Sequence, residues 1–276
     1  MPPRPLRIPY GPDPEQYAEL TLPESSGRTV PHAGVVVIIH GGYWRSKHTA
    51  ELGRPGALDL AGRGFTCWNL EYRRAGNGGG WPETFNDISD GIDALGPASR
   101  EHGLDLSRVT VLGHSAGGQL AVWAAARSGA AVPVTGVVSQ AGVLNMAQAL
   151  ELELSDGAVR NFLGSSPADD GDRYRSADPL QLLPLSVPVV ALHSESDSAV
   201  PLSCSTTFVN AALASGSPAE LRLVPGDHFA PITPGTPAWS AVVTALTQAA
   251  EGAGVFGMDS FDVDHSQGIR RAALLG

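Results

Sequence analysis

The sequence predicts an α/β fold, a mostly parallel central sheet flanked by helices, and three observations predict it. Apolar, β-branched runs of strand length recur along the chain, at GVVVII (34–39), VTV (109–111) and PVVAL (188–192). Such continuous runs belong to strands covered on both faces, as helices cover a parallel sheet. Between them lie stretches with apolar residues at helical spacing, among them Phe85, Ile88, Ile92 and Leu95, which establish a strand–helix–strand rhythm. Finally, GHSAG (113–117) stands between an apolar strand and an Ala-rich helix, a turn sharp enough to demand small residues around Ser115.

Each element follows in order. Residues 1–14 are Pro-rich and are expected to wrap the surface, and residues 16–22 alternate as an edge strand does. A polar loop (23–33) leads to the strand at 34–39, a crossover helix over 50–62 and a strand over 65–71. The loop YRRAGNGGGWP (72–82) falls at the same sheet edge as the turn after residue 39, and a helix follows over 84–101, on which Asp87 and Asp90 are read as solvating the surface. After the helix over 119–126 come a strand over 134–138 and then 146–185, a helical, polar and Pro-interrupted stretch that breaks the rhythm and reads as a small lid insertion. A strand over 188–192, a helix over 202–215, a strand over 220–224 and a helix over 239–250 complete one domain, 1–276, with a tail at 252–276.

The chemistry is placed by three loops. Ser115 is the candidate nucleophile, because Gly113 and Gly117 let the backbone close around it and the N–H of Ala116 opens a helix whose dipole favours negative charge. HGGYW (40–44) follows a buried strand directly, so Gly42 and Tyr43 are candidate oxyanion donors beside Ala116, with His40 a hydrogen-bonded structural residue. Asp197, after the strand at 188–192, is the candidate acid. Glu195 is its rival, but its longer side chain and earlier position suit a pocket rim. His228, in the loop after the strand at 220–224, is the candidate base; His193 reads as structural and Asp227 as a turn former. Trp81 is a candidate lining residue of the substrate pocket, although aromatic residues are core material first.

Composition bounds the partners. Apolar residues make up 42% and charged residues 17% of 276 positions, as in a folded globular protein, and the net charge of −10 argues against nucleic acid or an anionic membrane as partner. No segment has the length of a signal peptide's apolar core or a membrane span, so a cytoplasmic protein is expected. Cys67 and Cys204 fit reduced packing residues. The run FDVDH (261–265) has no second ligand cluster, so no metal is expected, and the chemistry calls on no organic cofactor.

The order Ser115, Asp197, His228 resembles that of the α/β-hydrolase superfamily over about residues 15–250. Within it, HGGYW paired with GHSAG is similar to the small esterases and to kynurenine formamidase, the arylformamidase branch. The resemblance implies a Ser-His-Asp triad acting on a small-molecule ester or amide, with Tyr43, Trp44 and Trp81 near the site suited to a flat acyl or leaving group and Trp44 and Trp81 the candidate substrate contacts. Ser194 departs from it, standing where a glycine is common before the acid. Two function classes follow: a serine hydrolase of a small carboxylic ester or aryl-formamide, N-formylkynurenine included, and a hydrolase-fold protein that binds a ligand without turnover. Loss of a triad member would mark the second, and all three members are present.

Overall fold

Why strands built of unbroken apolar runs end up in the middle of the molecule is visible in which core each residue joins. The structure, a computed structural model, describes residues 5–23 and 34–251. Among them are the strands β1 (Leu6–Pro9), β2 (Tyr17–Thr21), β3 (Val35–Ile39), β4 (Thr66–Leu70), β5 (Val109–His114), β6 (Gly136–Gln140), β7 (Val189–His193) and β8 (Ala219–Leu223). They form one sheet in the order β1-β2-β4-β3-β5-β6-β7-β8; β1 and β2 run antiparallel to their neighbours and all other pairs are parallel. Along β3, Val35, Val37 and Ile39 enter one core while Val36 and Ile38 enter another. β7 divides in the same way, Val189 and Ala191 from Val190 and Leu192. Side chains of a strand point to alternate faces, and here both faces are dry, so both parities are apolar along these stretches.

The helices α1 (Arg54–Gly62), α2 (Glu83–Asp93), α3 (Leu95–His102), α4 (Ala116–Ala125), α8 (Leu202–Ala214) and α9 (Pro237–Glu251) cover these faces. Ala57 and Leu60 of α1 and Trp239, Val242 and Leu246 of α9 form one layer with Val36 and Ile38. Phe85 and Ile88 of α2, Leu120 of α4 and Phe208 of α8 belong to the other. Each such large side chain, taken out of water, contributes about 1.5–3 kcal/mol.

Register carries the candidate loops to one edge. Ile39 pairs with Leu70 and with Gly113, His114 with Gln140, Gln140 with Leu192, and His193 with Leu223. The segments that follow the parallel strands therefore leave the sheet side by side, at the carboxyl edge where α/β sheets bind ligands.

Four expectations are corrected. The Pro-rich start contributes β1, paired with β2, because an edge strand leaves prolines without a ladder partner to serve. The helix expected over 84–101 is two, α2 and α3, broken at Ala94. β6 continues to Gln140, two residues past the expected end, since its backbone pairs with both His114 and Leu192 there. Asp87 is no surface solvator: its carboxylate is fully buried and binds Arg73 at 2.7 Å and Gln16 at 2.7 Å, as a buried charge must be paired.

Residues 146–185 hold α5 (Met146–Glu151), α6 (Leu154–Leu163) and α7 (Gly171–Ala177). Their apolar side chains, Met146, Ala158, Phe162 and Tyr174 among them, join the same core as β3 and α4.

Candidate active site

Ser115 sits at φ 55° and ψ −119° between β5 and α4. This backbone conformation costs a residue with a Cβ on the order of 1–3 kcal/mol, so the surroundings must hold it. They do so through main-chain bonds: the Ser115 N–H donates to Gln140 O (2.9 Å), and Ser115 O accepts from Gly118 N (2.9 Å) and Val143 N (3.1 Å). The glycines are there for closeness. A Cβ on Gly113 would lie 2.2 Å from Gly117 O, and one on Gly117 would lie 2.1 Å from Ile39 O and 2.6 Å from His40 O. Those atoms are main chain of the β3 end and of α4 itself and cannot step aside.

The turn after β3 lies against this elbow, since a Cβ on Gly41 would come within 3.0 Å of the Ser115 Cβ. Gly42, Tyr43 and Trp44 all have positive φ, at 115°, 50° and 54°. His40 fixes the start of the turn. Its Nδ1 lies 2.8 Å from Gly41 O, and because a carbonyl only accepts, the ring proton is on Nδ1. Holding the Gly41 carbonyl on His40 sends the N–H of Gly42 the opposite way, since the peptide is planar and trans. Behind the ring, His40 Nε2 lies 3.1 Å from Glu71 Oε1; Arg74 binds both Glu71 and Glu15, and Glu71 Oε2 accepts from the Ala50 N–H at 2.8 Å. Burial pushes the Glu71 carboxyl up, but the bonds from His40, Arg74 and Ala50 outweigh it and hold the group below its ordinary range. The sequence reading missed Glu71, Arg74 and Glu15. A glutamate and an arginine three apart immediately after an apolar strand were the available signal.

Asp197 and His228 meet across the loops after β7 and β8. His228 Nδ1 is 2.7 Å from Asp197 Oδ2, which assigns the His228 proton to Nδ1 and leaves Nε2 unprotonated in the neutral ring. Oδ1 of Asp197 accepts from the N–H groups of Ala199 (2.8 Å) and Val200 (2.9 Å). Its side chain is fully buried and that of His228 is 7% exposed. Burial alone would raise the Asp197 carboxyl, yet the bonds from His193, His228 and Val200 hold it well below the usual carboxylate range. Glu195 is exposed. Ser194, the departure from the expected glycine, donates to Gly226 O and accepts from Ser196 N (3.1 Å), tying the loop after β7 to the loop after β8. Asp227 accepts from the N–H groups of Phe229 and Ala230, each at 3.0 Å, as a turn former does.

The serine and histidine loops are joined through His114. Its Nε2 donates to His228 O at 3.0 Å and its ring centroid lies 4.7 Å from that of His228. Nδ1 of His114 is buried without a hydrogen-bond partner among the described residues. Burial first, and the nearby His228 second, push its pKa down to about 3, so the ring stays neutral.

Tyr43 reaches from the β3 turn to the acid loop, donating its hydroxyl to Ala199 O at 2.5 Å, and burial pushes the phenol up to about 12. Trp44 is corrected as a substrate contact. It is fully buried, its indole N–H donates to Gln119 Oε1 (3.0 Å), and it stacks on Phe162 with centroids 4.7 Å apart. Its turn directs it into the core, where an aromatic ring buries most area. Trp81 packs edge-on against Phe85 at 4.9 Å, on the same aromatic cluster, and stays half-buried. The exposed aromatic beside His228 is Phe229, 5.3 Å between centroids, which the sequence reading did not single out.

Cys67 and Cys204 are free and buried. Among the described residues no group of three or more His, Cys, Asp or Glu side chains is arranged to hold a metal ion, and no helix is long and apolar enough to cross a membrane. The FDVDH run (261–265) and the tail lie outside the described residues.

Comparison with known proteins agrees with this architecture. Residues 19–212 match the family model BD-FAE. Isoprenylcysteine alpha-carbonyl methylesterase ICME of Arabidopsis thaliana is 28% identical over 241 residues, 79% of this chain and 55% of that protein. The chain thus spans about half the length of this curated relative. A truncated form of a carbohydrate esterase from gut microbiota superposes with a TM-score of 0.75 at 18% identity, covering 89% of this chain and 95% of the other. Esterase 2 of Thermogutta terrifontis, phosphoramylated by tabun, gives 0.72 at 19%, covering 93% and 97%. With its mostly parallel eight-stranded sheet and a family match over residues 19–212, the chain belongs to the BD-FAE family, within the α/β-hydrolase superfamily.

Proposed function

We propose that the chain is a serine esterase that cleaves a small carboxylic ester through an acyl-enzyme intermediate. The observation that carries the reading is the 2.7 Å contact between His228 Nδ1 and a buried Asp197, made at the sheet edge where Ser115 is held on its strained turn. In this reading Ser115 Oγ attacks the ester carbonyl while His228 Nε2 takes its proton. The N–H groups of Ala116, Gly42 and Tyr43 hold the oxyanion; Ala116 opens α4, where no preceding helical carbonyl claims its donor. His228 returns the proton to the departing alcohol, then takes one from the water that attacks the acyl-enzyme, releasing the acid and restoring Ser115. Asp197, ionised throughout, holds the tautomer and stabilises the imidazolium.

The relatives support an ester in name: a methylesterase, a carbohydrate esterase and esterase 2. An aryl-formamide such as N-formylkynurenine is the second reading, favoured by the pairing of HGGYW with GHSAG. The same nucleophile serves both, so a hydrolysis panel of p-nitrophenyl esters beside N-formylkynurenine decides between them, and labelling by a fluorophosphonate tests the nucleophile itself. Labelling with turnover of short-chain esters is expected. Folded protein that takes no label and turns over neither substrate class would mean a ligand-binding member of the superfamily.

A further inference from the structure

A second histidine faces the Asp197 carboxylate. His193 ends β7, is fully buried, and sends its Nε2 to within 3.0 Å of Val200 O and 3.4 Å of Asp197 Oδ2. Both are acceptors, so Nε2 carries a proton. In the neutral ring Nδ1 is then the lone-pair nitrogen, and it lies 2.7 Å from the hydroxyl of Ser205 on α8, itself fully buried. With no proton on Nδ1 the hydroxyl must donate, so Ser205 satisfies and holds the tautomer in which Nε2–H points at the acid loop.

The consequence falls on the carboxylate. Oδ1 is held by Ala199 N and Val200 N, and Oδ2 by His228 Nδ1 with His193 Nε2 beside it. His193 also grips the carbonyl of Val200, the residue whose N–H holds Oδ1. The opposite tautomer would aim a lone pair at a carboxylate and a carbonyl at once, a repulsion with no water to relieve it because the Asp197 and His193 side chains are both fully buried. We propose that His193 is a positioning residue for the Asp197 carboxylate, its tautomer set by the acceptors at Nε2 and held by the Ser205 hydroxyl at Nδ1. The proposal deepens the triad reading above and rests on it. Ser205 thereby influences the reaction through three successive contacts, to His193, Asp197 and His228, without touching substrate.

The test uses the full chain with p-nitrophenyl acetate, reading kcat and KM per site that a fluorophosphonate can label, for wild type, His193→Leu, His193→Gln, Ser205→Ala, Ser205→Thr and Asp197→Asn. Loss of the His193 donor is expected to lower kcat at least tenfold with KM within about twofold, and Ser205→Ala to lower kcat severalfold. Ser205→Thr, which keeps the hydroxyl, restores it, and His193→Gln, which keeps an N–H donor at similar reach, recovers part of it. The proton NMR resonance of His228 Nδ1–H should move in Ser205→Ala and return in Ser205→Thr. A merely structural role would lower Tm and the labelled fraction but leave kcat per labelled site and this resonance unchanged. If His193→Leu does not fold, the Ser205 pair decides the matter alone. Wild-type kcat per site and an unmoved resonance in Ser205→Ala overturn the proposal while Asp197→Asn is crippled; an Asp197→Asn enzyme of wild-type kcat would instead overturn the triad reading beneath it.

Discussion

The turn that carries Ser115 and the loops that carry Asp197 and His228 are held in place by different forces. Around Ser115 the constraint is steric: Gly113 and Gly117 lie so close to neighbouring main chain that any side chain would collide, and the N–H and C=O of Ser115 bond only to main chain. Around Asp197 and His228 the constraint is polar. Side chains of His193, Ser194 and His228 and the N–H groups of Ala199 and Val200 fix the geometry, and His114 ties the His228 loop to the elbow. Steric constraints are insensitive to pH and intolerant of volume. Polar ones tolerate volume better but depend on which atoms carry protons.

Substitutions can break this contrast, in descending order of effect. Ser115→Ala should cost on the order of 10⁵–10⁶ in kcat with the fold intact, since only the nucleophile goes; hydrolysis within tenfold of wild type would remove Ser115 from the role. Asp197→Asn should cost about 10⁴ in kcat because the amide favours the wrong tautomer of His228, whereas Glu195→Gln, on an exposed side chain, should stay within about twofold. The reverse ranking would move the acid to Glu195. Gly117→Val should fail differently, through folding: its Cβ meets Ile39 O at 2.1 Å, so loss of soluble protein, or several kcal/mol by chemical denaturation, is expected from overpacking. A stable, active Gly117→Val protein would show that the elbow is not sterically fixed.

A smaller effect sharpens the polar side of the comparison. His114 has its pKa pushed down to about 3 in the fold, against an ordinary histidine value of 6.5. Between these pH values the unfolded chain binds a proton that the folded chain refuses, so stability falls as pH drops below about 6.5. At pH 5 the loss from this one group is about 2 kcal/mol. Asp197 is lowered as well, but there the fold favours the charged form, so its contribution is intact above about 4 and is lost only in more acid solution. Urea unfolding at pH 7 and pH 5 should show the slope in wild type and a flatter one in His114→Gln. Equal slopes would mean that His114 titrates normally in the fold.

Much of this was legible in the sequence because it depends on local pattern. The apolar runs and the G-x-S-x-G turn between strand and helix name the strands and Ser115, since a two-sided buried strand and a tight elbow each admit few residue types. Asp197 and His228 were legible from their positions after β7 and β8, because all parallel strands of such a sheet end at one edge. The sequence did not show what crosses between segments. Trp44 reads from sequence as a ring beside the site, yet a positive φ at 54° turns it onto Phe162, over a hundred residues away, and only that packing makes it core. Asp87 reads as a surface charge on a helix until Arg73 and Gln16 converge on it. The same holds for Glu71, Arg74 and Glu15 behind His40, and for His193 between Ser205 and Asp197. Residue order alone determined most of the elements and where the candidate side chains leave the sheet, because backbone propensity and side-chain periodicity act over a few neighbours. Which polar atom faces which was decided by the tertiary structure alone, because partners distant in sequence meet only when the core closes, and the cost of burying an unpaired group then selects among arrangements.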